Sequence, residues 1–163
     1  GELQQVDAAG HWIVGVNSGG NIYRRPVDAS GAWEQLNGSA KHVSTDGGRL
    51  LACNAEDNIY LADANSPAGS VGWVQLDGSA KAGSLGGDYI WVVNAEDNIY
   101  RRPIDGGGAW EQVDGKLQSV STDGTWVWGA NAEGNIYFTA ANCDAGSPGW
   151  THVDGELQQV SVC

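Results

Sequence analysis

Asn21-Ile22-Tyr23 is written four times: it returns as Asn58-Ile59-Tyr60, Asn98-Ile99-Tyr100 and Asn135-Ile136-Tyr137, at intervals of 37, 40 and 37 residues. A tryptophan keeps a matching beat, with Trp33, Trp73, Trp110 and Trp150 spaced by 40, 37 and 40. Self-similarity at such a period marks a supersecondary unit that buries its apolar face against its neighbours. Each unit resolves into four short segments. The first starts on the Trp, as in Trp33-Glu34-Gln35-Leu36, and alternates apolar with polar residues like a half-buried strand. Asn37-Gly38, Asp77-Gly78, Asp114-Gly115 and Asp154-Gly155 follow it. Such pairs are the strongest short hairpin signal, so a type I′ turn is expected at each. The second segment spans residues 40–44, 80–84, 117–121 and 157–161, with a further copy at 3–7. The third ends on Asn17, Asn54, Asn94 and Asn131, and the fourth is the Asn-Ile-Tyr run itself.

No segment shows a helical period, and four short antiparallel strands in about 40 residues is the sequence form of a propeller blade. The expected fold is therefore all-β: a β-propeller of four-stranded antiparallel blades, with four repeats and a C-terminal partial repeat. The chain reads as one domain, 1–163, with units 1–32, 33–72, 73–109 and 110–149 and a partial unit 150–163. The segments sum to seventeen strands, one more than four blades need and three fewer than five. The simplest closure pairs the Trp150 strand with the N-terminal unit and leaves a spare second strand, since GELQQV occurs both at 1–6 and at 155–160. A spare strand is an exposed edge, so the termini are expected at a homo-oligomer contact. The loop after the fourth segment is long at 62–72 and 139–149 and short at 26–32 and 103–109, which puts an alternating texture on one rim.

Composition narrows the partners. With 25 Gly, 8 Trp, 5 Tyr, one Phe and no Met, the chain suits short strands and tight turns. A formal charge of −12 repels phosphate backbones and anionic membranes, so neither nucleic acid nor membrane insertion is expected. No run of apolar residues is long enough to span a bilayer. The start at Gly1, without Met or an apolar leader, reads as a mature, secreted form. The Asn37-Gly38-Ser39 sequon is compatible with that. Among the three cysteines, Cys53 shares its strand position with Val16, Val93 and Ala130 and reads as a buried free thiol. Cys143 and Cys163 are candidates for a disulfide, with each other or between chains.

The runs Asn21-Ile22-Tyr23-Arg24-Arg25-Pro26-Val27-Asp28 and Asn98-Ile99-Tyr100-Arg101-Arg102-Pro103-Ile104-Asp105, each followed by a Gly and a Trp, resemble the tectonin repeat. The composite pattern of Trp, Asp-Gly or Asn-Gly, Gly-Val-Asn and Ile-Tyr covers essentially the whole chain. Gly15-Val16-Asn17 and Gly129-Ala130-Asn131 come close to the family's third strand, and Leu51-Ala52-Cys53-Asn54 departs from it. The chain is thus similar to the tectonin-repeat lectins, among them tectonin-type tachylectin, fish-egg lectins and slime-mould tectonins. The resemblance implies a propeller lectin for glycans on microbial or host cell surfaces, including bacterial lipopolysaccharide and N-acetylated or methylated sugars. It further implies innate defence or agglutination. Better-known members carry five or six repeats, so the number of blades and sugar sites here stays open.

The residues themselves favour binding over catalysis. Glu56, Asp57, Glu96, Asp97 and Glu133 recur in one hairpin of each unit, whereas a glycosidase needs two carboxylates in distinct environments around one bond. They read as turn formers and solvated surface, or as ligand contacts. His11, His42 and His152 lack metal-site spacing, and no cofactor is expected. Asn17, Asn54, Asn94 and Asn131 have two readings, as turn starters or as amides that hold sugar hydroxyls. Trp33, Trp73, Trp110, Trp150 and the four tyrosines read as blade packing. Trp91 and Trp128 share a third-strand position from which an exposed ring would stack on a sugar. Arg24-Arg25 and Arg101-Arg102 suit either an anionic ligand or an exposed edge kept charged against pairing. Repeated weak sites gain avidity, about 100- to 10,000-fold, without new contacts, which favours a multivalent binder. The rival reading is a protein-interaction propeller.

Overall fold

The computed structural model describes residues 2–162. Apart from one 3-10 turn, Ala68–Ser70, every regular element is a strand. The chain forms two compact units, Gly1–Lys81 and Ala82–Cys163. The first holds a blade of β1 (Leu3–Ala9), β2 (Trp12–Asn17), β3 (Asn21–Pro26) and β4 (Glu34–Ser39). Its second blade is β5 (His42–Thr45), β6 (Arg49–Cys53), β7 (Ile59–Asp63) and β8 (Val74–Leu76). The second unit repeats this with β9 (Ala82–Gly86), β10 (Tyr89–Val93), β11 (Asn98–Pro103) and β12 (Glu111–Lys116). Its other blade is β13 (Ser119–Thr122), β14 (Trp126–Ala130), β15 (Asn135–Ala140) and β16 (Thr151–Glu156). All four sheets are antiparallel meanders, the all-β propeller blades expected from the repeat.

The blades are cut in a different frame from the sequence units. Each Trp-led segment pairs backward onto the Asn-Ile-Tyr strand: Ile22↔Leu36 and Tyr23↔Gln35 in the first blade, Ile136↔Val153 and Tyr137↔His152 in the fourth. Asn-Ile-Tyr is therefore the third strand of its blade, not the fourth. The Trp150 segment completes the fourth blade instead of joining the N-terminal unit. Sixteen strands are present among the described residues, and 157–162, counted above as a seventeenth, form none.

The type I′ hairpins expected at the Asn-Gly and Asp-Gly pairs are also absent. Asn37 and Gly38 lie inside β4, where the register jumps from Asn21↔Ser39 to Ile22↔Leu36. Equivalent jumps fall at Asp114-Gly115 and Asp154-Gly155. These pairs are bulges, and Gly38, Gly115 and Gly155 accept φ of 101°, 123° and 117° because they lack Cβ. No hairpin forms because the segments flanking Asn37-Gly38, Asp77-Gly78 and Asp114-Gly115 belong to different sheets, while 157–162, after Asp154-Gly155, belongs to none.

Within each unit, adjacent blades bury their faces against one another. Ile22, Leu36, Val43 and Leu50 centre the first core, and Ile99, Val113, Leu117 and Val127 the second. Polar contacts fix the stacking. The Gln5 side-chain amide donates to Val43 O (2.9 Å) and accepts from Val43 N (3.0 Å), while Asp7 accepts from Ser44 Oγ and Thr45 N, both at 2.8 Å. Two buried arginines clasp the next blade's long loop. Arg24 donates to Glu34 (2.9 Å) and to Ala64 O (2.5 Å) and lies 4.3 Å over the Trp12 ring. Arg101 donates to Glu111 (2.8 Å) and Ala141 O (3.1 Å) and lies 4.7 Å over Tyr89. Arg24, Arg101 and Arg102 are thus buried, which removes them as ligand contacts or edge charges. The alternation of 37 and 40 residues follows, because only the even blades carry the long loop that supplies the acceptor.

Neighbouring blade tips meet backbone on backbone: a Cβ at Gly47 (φ 89°) would stand 2.9 Å from Gly10 Cα. Gly47→Ala should therefore cost about 3 kcal/mol, conformational strain plus overpacking. Gly31→Ala, at φ 73° with nothing within 4 Å, should cost about 1 kcal/mol. Urea denaturation of both variants measures the difference; equal losses would show that the approach of the two tips contributes nothing.

Candidate functional site

The site starts from the asparagines that end the second strand of each blade. Asn54 Oδ1 accepts from Glu56 N (3.1 Å) and Asn58 N (2.9 Å), and Asn131 Oδ1 from Glu133 N (3.1 Å) and Asn135 N (2.9 Å). Asn17 and Asn94 make the same turn. The side-chain oxygen is committed to the backbone, as turn-starting asparagines require. The Nδ2 donors of Asn17, Asn54 and Asn131 have no protein acceptor among the described residues.

The other walls come from the Tyr of the third strand and the Trp that leads the fourth. Trp73 Nε1 donates to Asn37 O (2.8 Å) and Trp150 Nε1 to Asp114 O (2.7 Å), each reaching the bulge of the preceding blade. The indoles sit so close to Gly38 and Gly115 that an added Cβ would come within 3.1 and 2.9 Å of Nε1. Three quasi-equivalent clefts result. Gly38, Ser39, Asn54, Tyr60 and Trp73 line one of about 310 Å³. Gly115, Lys116, Asn131, Tyr137 and Trp150 line one of about 260 Å³. Glu2, Leu3, Asn17, Tyr23 and Trp33 line one of about 120 Å³. Each offers aromatic walls, a tyrosine and a free amide donor, the mix by which concave sites orient small polar ligands.

The structure sorts the sequence candidates. Asn17, Asn54 and Asn131 line clefts. Glu56, Asp57, Glu96, Asp97 and Glu133 lie in the turns beside them and line none of the three. Asp57 and Asp97 adopt φ 66° where the fourth blade has Gly134, and Asp57 is ion-paired with Lys41, so these turns have a structural use for the acids. Trp91 is completely buried, which corrects its reading as an exposed stacking ring. The alternation that places it on one face holds, but in the third blade that face is covered. Trp128 is half-buried and stacks on Phe138 (centroids 4.8 Å, 21°). Trp33, Trp73, Trp150 and Tyr23, Tyr60, Tyr137, read from sequence as packing residues, line the clefts as well. A signal existed in the equal offset between the Trp and a Gly of the preceding unit in these two clefts, Gly38 to Trp73 and Gly115 to Trp150.

The Asn37 sequon amide is engaged, donating to Val71 O (3.1 Å) and accepting from Val71 N (2.7 Å). Among the described residues no group of three or more His, Cys, Asp or Glu is placed to hold a metal. Nor, among the described residues, is any helix long and apolar enough to cross a membrane.

Solved structures with this architecture define the class. The chain matches human WBSCR16 with a TM-score of 0.69 at 12% identity, over 95% of this chain and 54% of that one. It matches the β-propeller domain of Myceliophteria thermophila Cps50 (Swd1) with a TM-score of 0.61 at 12% identity, over 85% and 52%. YCF48, solved bound to D1 peptide, matches with a TM-score of 0.58 at 16% identity, over 92% and 52%. The chain therefore spans about half the length of each, and the shared fold is the β-propeller. No curated protein matches the chain. The tectonin domain model matches residues 1–106 and 103–163, and the chain belongs to the tectonin family.

The cysteines have no place in the clefts. Cys53 is free and fully buried, and burial pushes its thiol up to about 12. Cys143 is a free, half-buried thiol 3.7 Å from Arg101 Nη1, and its candidate bridge partner Cys163 lies outside the described residues. With its pKa near 12, Cys53 at pH 8 is thiolate in only about one molecule in 10,000. Iodoacetamide at pH 8 should leave Cys53 unmodified in the native protein and alkylate it fully in guanidinium. Peptide mass spectrometry reads this, and native labelling at the rate of a free thiol would contradict the burial.

Proposed function

We propose that this tectonin propeller is a multivalent, non-enzymatic lectin, with the recurring Asn-Tyr-Trp cleft as its sugar site. The observation that carries the reading is the recurrence itself: the same three residue types line three clefts. An aromatic wall suits the apolar face of a pyranose, and the Asn Nδ2 with the Tyr hydroxyl suits its hydroxyls or an acetamido carbonyl. Volumes near 300 Å³ fit one sugar residue or a terminal disaccharide, so each site binds weakly and several together bind by avidity. Dense glycans on microbial or host cell surfaces, outside the cell, are the targets that reward such a design. Tectonin propellers are generally non-enzymatic, and quasi-identical clefts offer no single asymmetric centre for a reaction.

A glycan array at high protein density tests the proposal. Binding to one family of neutral or N-acetylated glycans is expected. Asn54→Asp preserves the turn-holding oxygen and removes the Nδ2 donor, so it should leave the thermal midpoint nearly unchanged. Combined with Asn131→Asp, it should lower cell agglutination or array signal about tenfold or more through lost avidity. Array signal absent above background would overturn the lectin reading. The peptide-bound propeller YCF48 would then favour a protein-interaction role.

A further inference from the structure

The clefts of the second and fourth blades are built alike, each within its own unit, but one lining position differs in charge. In the first unit the bulge contributes Gly38 and Ser39; in the second it contributes Gly115 and Lys116. Ser39 and Lys116 are register equivalents, since Ser39 pairs with Asn21 on β3 and Lys116 with Asn98 on β11. The other polar and aromatic positions keep their residue type: Asn54 and Asn131, Tyr60 and Tyr137, Trp73 and Trp150. No charged side chain lines the first unit's cleft, and Lys116 is the one that lines the second unit's.

The surroundings leave that charge uncompensated. Lys116 Nζ donates to a backbone carbonyl, Glu96 O (2.7 Å), and forms no ion pair among the described residues. In the first unit the ammonium of Lys41 is matched by Asp57. The second unit has Gln118 and Gly134 at those two positions: Gln118 N donates to Ala130 O as Lys41 N does to Cys53 O, and Gly134 holds the positive φ of Asp57. Glu133, the acid left in that turn, forms no ion pair among the described residues and lies outside the cleft lining. A further difference has the same sign. His152 lies beside Tyr137, with ring centroids 5.4 Å apart, where Gln75 is the strand partner of Tyr60. The only charged form of an imidazole in this setting is cationic.

We propose that the second unit's cleft takes an acidic sugar, a glycan residue carrying a carboxylate or a sulfate, and that Lys116 sets this preference. The proposal rests on the lectin reading of the same cleft. With Nζ still bonded to Glu96 O, two of its three N–H groups remain for the oxygens of the anion. A lysine ammonium acts as a compact point charge, so carboxylate and sulfate are both accommodated. The Trp150 ring meets the apolar face of the sugar, while Asn131 Nδ2 and the Tyr137 hydroxyl meet its uncharged groups. Charge-assisted hydrogen bonds are roughly twice as strong as neutral ones, so this one contact separates an acidic sugar from its neutral parent. The net charge of −12 does not prevent the contact, because exposed charges farther away than a Debye length of roughly 8 Å are largely screened. It does disfavour long polyanions, and the fitting ligand is a glycan with isolated acidic residues.

An array that pairs acidic glycans with their neutral parents tests the assignment, with glucuronate against glucose ends and sulfated against unsulfated galactose ends. The wild type is expected to bind the acidic member of at least one pair more strongly, and the two kinds of pair tell carboxylate from sulfate. Lys116→Ser, which takes the residue type of the equivalent first-unit position, should lower that signal about tenfold or more, the worth of a hydrogen bond to a charged group. The neutral-glycan signal and the thermal midpoint should stay nearly unchanged. Lys116→Arg keeps the charge and should keep the preference. Acidic glycans bound no better than their parents would overturn the assignment while the lectin reading stands. So would a preference that survives Lys116→Ser or is lost equally in Lys116→Arg. An array blank for neutral and acidic glycans alike would instead remove the lectin reading, and this assignment with it.

Discussion

An indole resting on a glycine bulge sets the spacing between blades. A four-stranded sheet has two faces to bury and no core of its own, so a blade is stable only against a neighbour. Trp73 provides that contact by crossing to Gly38, where any side chain would meet the ring. The bulge also frees a carbonyl from the β4 ladder, and the Trp73 N–H takes it, so burying the indole leaves no unsatisfied donor. Trp150 repeats the arrangement on Gly115 and Asp114. Glycine inside a strand ordinarily weakens it. Here the lost strand propensity is exchanged for the seat of the largest side chain in the repeat, and the space beside that seat is the cleft.

The arginine clasps add a second level of order. A buried guanidinium loses hydration, and a carboxylate partner alone rarely offsets that. Arg24 and Arg101 each have three partners: a carboxylate at the edge of the site, a backbone carbonyl from the next blade's long loop, and an aromatic face. Because the carbonyl belongs to the following blade, each clasp makes a pair of blades into one packing unit. The structural repeat is therefore the pair, with Arg24 and Arg101 lying 77 residues apart. The division of the chain after Lys81 coincides with the start of the second pair.

Much of this was legible in the sequence. The period, the strand segments, the burial of Ile22 and its copies, the buried thiol of Cys53 and the turns at the asparagines all follow from residue type and spacing. What escaped was the assignment of segments to sheets. Asn37-Gly38 announces positive φ, and Gly38 has it, but the pair signals a hairpin only if its flanking strands pair with each other. They belong to different blades, a fact carried by contacts about 37 residues away. Trp91 and Arg101 failed for the same reason: alternation tells which face a side chain occupies, not whether another blade covers it. Chemistry in the clefts was half visible, since the asparagines drew notice while the Trp and Tyr walls looked like packing and serve as packing too.

That double use bears on how such a surface keeps its sites alike. In each turn the Asn oxygen binds two backbone N–H groups, so replacing the residue with an apolar one would disrupt the loop even where nothing binds. The Trp is held by its neighbour's bulge in the same way. The groups facing the cleft, an amide donor and aromatic edges, are the remaining valences of residues the scaffold already needs. An apolar substitution at one of these positions therefore spoils a cleft and strains a blade together, and only a change that keeps the turn-holding oxygen, as Asn54→Asp does, separates the two roles. The turn acids show what is left free: with Glu56, Glu96 and Glu133 lining none of the three clefts, the chain can hold a charge of −12 without altering the lining of those clefts. That field opposes polyanions over a Debye length of roughly 8 Å at physiological salt, and it leaves neutral ligands unaffected.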